Sequence, residues 1–210
     1  MRSLRTQFVF PTLRSAFADV NRARRLRPHA RSPLRDDFRL VHFSVQNDHV
    51  HLLVEARDKR ALSNALRGLA VSVTRRMNQL IRRRRGSVFS ERWHGRALTT
   101  PRAVRHALVY VLANFRKHAV SGHQNVDVYS SAPYFAGFYG LRGSSPLSRD
   151  PRLIPRALVP RARENPTLVK PMTWLLQVGW LKSGAIPVEA RPSVYDTARG
   201  QHAALRAPNR

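Results

Sequence analysis

The 210-residue chain contains no cysteine. That excludes disulfides, thiolate zinc sites and cysteine nucleophiles together. Only His, Asn, Asp and Glu are left to hold a metal, a set that suits magnesium, manganese or zinc. Acidic residues are scarce: 12 Asp and Glu face 38 Lys and Arg, for a formal charge of +26. Such a surplus opposes compaction unless a polyanion or counterions neutralise it, so nucleic acid is the first partner to consider and an anionic membrane surface the second. Most of the cations are Arg, whose planar fork fits phosphate better than an ammonium does. No apolar run approaches the roughly 18 residues of a membrane span, and the N-terminus lacks the apolar segment of a secretory signal. The default expectation is therefore a cytoplasmic protein with no membrane partner.

What is present suffices for a core. Apolar residues make up 42% of the chain, enough for one domain with an extension or for two small domains. Leu13, Phe17 and Val20 recur at helical spacing within Phe8 to Arg25. Phe38 to Gln46 alternates as a strand, with Val41, Phe43 and Val45 expected on one face and Leu40, His42 and Ser44 on the other. Asn47-Asp48 signals a turn into a second strand, His49-Val50-His51-Leu52-Leu53-Val54, so a hairpin is expected. Arg60 to Ile81 carries an unbroken stripe (Leu62, Leu66, Leu69, Val73, Met77 and Leu80) and runs into Arg82, Arg83, Arg84 and Arg85. Four arginines in succession exceed what a helix C-terminus needs, and phosphate contact is the expectation. Ser87 to Leu98 reads as a strand pair or a bent strand, with Trp93 able to stack on a base or to pack inside. Thr99, Thr100 and Pro101 open a further helix running to about Ala119. The domain expectation is a folded region over residues 1–122, an aromatic segment packed on it over 123–143, a Pro/Arg-rich linker over 144–171, and a short apolar element with a polar tail over 172–210.

Two features carry chemistry. Alternation places His49 and His51 on the same face of their strand, able to converge on one cation. Tyr110 and Asn114 stand one turn apart on the later helix. Breaking a phosphodiester without a cysteine, a serine motif or a carboxylate pair takes a nucleophile, a Lewis acid and cations to hold the strand. Tyr110 could be the first, with His49, His51 and Asn114 holding the second.

HVHLLVEA, then a long helix, then GSVFSERWHGRAL, then TTPRAVRHALVYVLANFRKHA resembles the HUH single-strand transposases with one catalytic tyrosine, nearest to the REP-associated tyrosine transposases and covering about Leu4 to Phe138. The pairing of His-hydrophobe-His with Tyr-x-x-x-Asn is specific, whereas either half alone carries little. The resemblance implies a ferredoxin-like α+β fold, an antiparallel sheet with the histidines on a central strand and the tyrosine helix packed across it. It implies a divalent cation, Mg or Mn, on His49, His51 and Asn114, and attack by Tyr110 on single-stranded or hairpin DNA to leave a 5′-phosphotyrosine. Arg82 to Arg85, Trp93, Arg116 and Lys117 would grip the DNA, and some relatives work as homodimers. Relatives begin with a strand before the first helix, and this chain starts almost at the helix, at Met1-Arg2-Ser3. The expectation is a sheet whose first strand is missing, in a copy that is truncated or inactive. Phe115-Arg116 also stands after Asn114 where many relatives have a proline. The alternative reading is a non-catalytic basic nucleic-acid-binding protein descended from such a transposase. A third is a basic ribosome- or RNA-associated protein in which the pairing is coincidence.

Overall fold

A computed structural model describes residues 3–23, 37–82, 86–89, 93–117, 126–140, 167–192 and 204–206. Helix α1 (Val9–Ala23) leads to a hairpin of β1 (Phe38–Val45) and β2 (His49–Ala56), and then to α2 (Lys59–Leu80). The hairpin closes at the expected Asn47-Asp48 turn, where the Gln46 N–H donates to the His49 carbonyl at 2.8 Å. Asp58 caps α2 by accepting from the Ala61 N–H at 2.8 Å, satisfying one of the donors that a helix start leaves open. The middle of the α2 stripe does what its spacing demands: Leu66, Leu69, Val73 and Met77 are buried with Leu13 and Phe17 of α1 and Phe43 and Leu52 of the sheet, while Leu62 is partly buried and Leu80, at the helix end, is exposed. Each such side chain contributes about 1.5–3 kcal/mol by leaving water.

The alternation expected for β1 fails at one place. Leu40 pairs with Val54 and His42 with Leu53, so the register slips at Val41. One extra residue in a strand reverses the parity of everything after it. Leu40 and Phe43 therefore share the α1–α2 face, while Val41 packs in the opposite core. Asn21 holds the slip: its side chain accepts from the Leu40 N–H and donates to the Leu40 carbonyl, both at 3.0 Å.

Helix α3 (Pro101–Ala113) lies across the other face of the sheet, and a short 3-10 turn, Asn114–Lys117, continues it. Thr100 caps it by accepting from the Ala103 N–H at 3.1 Å, with Pro101 in the first turn as the sequence requires. Every residue from Ala107 to Ala113 is buried, so α3 is covered all round, unlike the one-sided α1 and α2. The outer cover comes from α4 (Trp174–Gln177), the turn Gly179–Ser183 and a small parallel pair, β3 (Phe138–Tyr139) with β4 (Ile186–Pro187). Gly137 and Gly179 permit this packing. A Cβ on Gly137 would sit 2.4 Å from the Phe135 ring, and one on Gly179 would sit 2.7 Å from that of Trp174.

The fold is α+β, with an antiparallel sheet between α1 and α2 on one side and α3 on the other. Two expectations are corrected. Residues 86–89 and 93–98 form no strand, only an isolated bridge at His94. The polar tail does hold one: β5 (Ala204–Arg206) pairs antiparallel with β2, setting Arg206 opposite His49 and Ala204 opposite His51 in backbone register. Most of the expected linker, from 144 to 166, lies outside the described residues.

Candidate active site

His49 and His51 point from β2 toward α3, on the same face as Leu53, while Val50 and Leu52 enter the core beneath α1 and α2. Their Nε2 atoms are 2.9 Å apart. The His49 Nδ1–H donates to Asp48 Oδ1 at 2.6 Å, and because a carboxylate only accepts, this bond assigns the proton to Nδ1. Nε2 of His49 is left with its lone pair, the form in which an imidazole binds metal. In the neutral pair His51 then donates to it.

Tyr110 reaches the same point from α3. Its ring centroid is 4.9 Å from that of His51, edge to face. Asn114, one turn later, is 3% exposed and ends the helix. Its Oδ1 is enclosed with no hydrogen-bond partner among the described residues. An acceptor buried without a donor is costly, on the order of 1–3 kcal/mol, and a bound cation is one way to offset that cost.

The donor set fits a divalent cation. Two nitrogens at adjacent corners of an octahedral ion, each about 2.1 Å away, stand about 3 Å apart, and the two Nε2 atoms have nearly that separation. Among the described residues no group of three His, Cys, Asp or Glu side chains converges. The enclosed Asn114 amide oxygen, at the end of the helix that carries Tyr110, is a further oxygen donor of the kind such an ion takes.

The expected nucleic-acid contacts scatter. Arg82 is exposed beyond the end of α2 with φ 53°, and Arg83, Arg84 and Arg85 lie outside the described residues. Trp93 is half-buried and packs on the α1–α2 core. Arg116 lies 5.0 Å over the Phe115 ring, and its pKa is lowered by burial first and then by Arg191, against an opposing pull from Glu189. The backbone of Lys117 closes the 3-10 turn.

Two features escaped the sequence reading. Asp48 was visible only as a turn residue, although a carboxylate beside the first histidine is the signal for an orienting partner. His42, brought to the α3 side by the slip at Val41, sits against Phe135 with Nδ1 3.1 Å from Ser131 Oγ, and burial lowers its pKa to about 4.

Residues 4–99 match the family model described as IS200-like transposase. Through that segment, just under half of the 210 residues, the chain is similar to the IS200-like transposases. The match ends immediately before α3, so His49 and His51 fall inside it and Tyr110 and Asn114 outside. No curated protein and no solved structure matches the chain. Among the described residues no helix is long and apolar enough to cross a membrane.

Proposed function

We propose that the chain cleaves and rejoins single-stranded or hairpin DNA through Tyr110, assisted by a divalent cation, Mg or Mn, on His49, His51 and Asn114. The observation that carries this reading is the contact between the Tyr110 ring and His51, whose Nε2 is 2.9 Å from that of His49. That contact joins two residues whose motifs are separated in the chain by a 22-residue helix.

In cleavage the phenolic oxygen of Tyr110 bonds to phosphorus. The bond from phosphorus to the 3′ oxygen breaks, and that oxygen takes a proton and leaves as a 3′-hydroxyl. The protein keeps a 5′-phosphotyrosine. In transfer a 3′-hydroxyl attacks the phosphotyrosine, and the phenol is restored. The cation would supply charge neutralisation at the non-bridging phosphate oxygens. Asp48 holds the His49 ring with its Nε2 lone pair available, and the rigid α3 aims Tyr110 along the same direction as Asn114.

The test is adduct formation with a labelled hairpin and Mn²⁺ on a denaturing gel. The wild type should yield a covalent protein–DNA band. Tyr110→Phe should yield none while binding DNA within about twofold of the wild type, since one hydroxyl leaves the ring and the surface is unchanged. Adducts persisting in the variant would remove Tyr110 from the mechanism. The second reading, a non-catalytic DNA binder, draws on the burial of Tyr110, which is only 9% exposed. It predicts salt-sensitive binding with no metal-dependent nicking by the wild type.

A further inference from the structure

The outward face of α2 has no role in the site just described. The 22 residues of this helix include Lys59, Arg60, Arg67, Arg75 and Arg76 and not one carboxylate. Its buried stripe faces α1 and the sheet. At 100° per residue, Arg60, Arg67 and Arg75 fall within about 80° of one another, centred on the opposite side. All three are exposed. None makes an ion pair or side-chain hydrogen bond among the described residues, unlike Arg76, which pairs with Asp19. They stand about 10 and 12 Å apart along the axis, and Arg82 follows beyond the end.

Gly68 interrupts this face. Glycine in an exposed helix interior weakens the helix relative to alanine. A Cβ built there meets nothing within 4 Å, so no contact among the described residues calls for the missing side chain. A partner backbone pressed against the helix would call for it.

We propose that this ridge is a second DNA site, one that grips the phosphate backbone of a duplex without reading its sequence. Charge complementarity selects a polyanion. The helix contains no aromatic residue on which unstacked bases could lie, as single-strand binding requires. The arginine interval is close to the width of the major groove, about 12 Å, so neighbouring guanidinium groups would reach phosphates on its two walls. The ridge faces away from Tyr110 with the sheet between them. A duplex held there is therefore a different stretch of DNA from any strand at the tyrosine. The inference needs DNA as partner and does not need Tyr110 to be a nucleophile.

The test is equilibrium binding of the full chain to a labelled 20-base-pair duplex over a range of salt, in chelator so that nothing is cut. Each duplex phosphate contact contributes about 0.9 to the slope of log K against log salt. The triple variant Arg60→Gln, Arg67→Gln, Arg75→Gln should flatten the slope by about 2.7 and leave the melting temperature unchanged. A control triple on the α3 side, Arg102→Gln, Lys170→Gln, Lys182→Gln, removes the same charge and should flatten it by less than 1. Gly68→Ala should raise the melting temperature and weaken duplex binding several-fold. Equal flattening in the two triples would overturn the proposal, since the overall charge would then explain the binding. So would a ridge variant that binds the duplex normally and loses only single strands or RNA.

Discussion

Against one face of the sheet, α1 and α2 press leucines, phenylalanines and valines with little that is polar, whereas the other face sets His42, His51, Tyr110 and Asn114 under α3. Both layers have buried cores, so the main difference is one of chemistry. The first face gains free energy from burial alone. The second encloses groups that lose hydration, one of them an amide oxygen with no donor among the described residues. A protein gains no stability from such an arrangement, and a requirement for chemistry is what would maintain it.

Substitutions on the two faces should therefore differ in size and finally in sign. Phe43→Ala empties a fully buried position on the α1–α2 side and should lower unfolding free energy by about 3–5 kcal/mol, measured by urea titration. A loss under about 1 kcal/mol would mean that this face is not the stabilising one. On the other face His42 ties stability to pH. Its pKa of about 4 in the folded chain lies below the ordinary 6.5, so protons favour unfolding. Its contribution is whole above pH 6.5 and is lost as pH falls toward 4, roughly 3 kcal/mol in all. His42→Gln should remove that part of the acid sensitivity, and unchanged profiles would contradict the assignment. The smallest effect carries the opposite sign. Asn114→Leu replaces an enclosed, unpartnered acceptor with an apolar group of similar shape and should stabilise the fold by about 1 kcal/mol while abolishing cation binding. Loss of stability there would show that the amide is satisfied in the folded chain.

Local signals in the sequence were faithful. The Thr-Pro-initiated helix, the central part of the α2 stripe and the shared face of His49 and His51 follow from nearest-neighbour geometry, and all appear in the structure. What the sequence hid depends on distant partners. The slip at Val41 is fixed by Asn21, 20 positions earlier, and a period-2 pattern cannot register an inserted residue held from outside the strand. β5 has three residues in a polar tail, too few for any period, and exists because the edge of β2 offers it hydrogen bonds. The reverse error, strands expected over 87–98, came from aromatic and β-branched residues that pack on the core without joining a ladder; Val88 and Phe89 are buried there. At the site the residue types were legible and the contact between Tyr110 and His51 was not, since nothing local fixes how α3 crosses the sheet.

Paramagnetic Mn²⁺ titrated into the isotope-labelled protein tests that convergence most directly. The account predicts selective broadening of the ring signals of His49, His51 and Tyr110 at substoichiometric metal, abolished in His49→Ala/His51→Ala, with exposed His94 unaffected. Broadening of His94 and other surface histidines while Tyr110 stays sharp would contradict it.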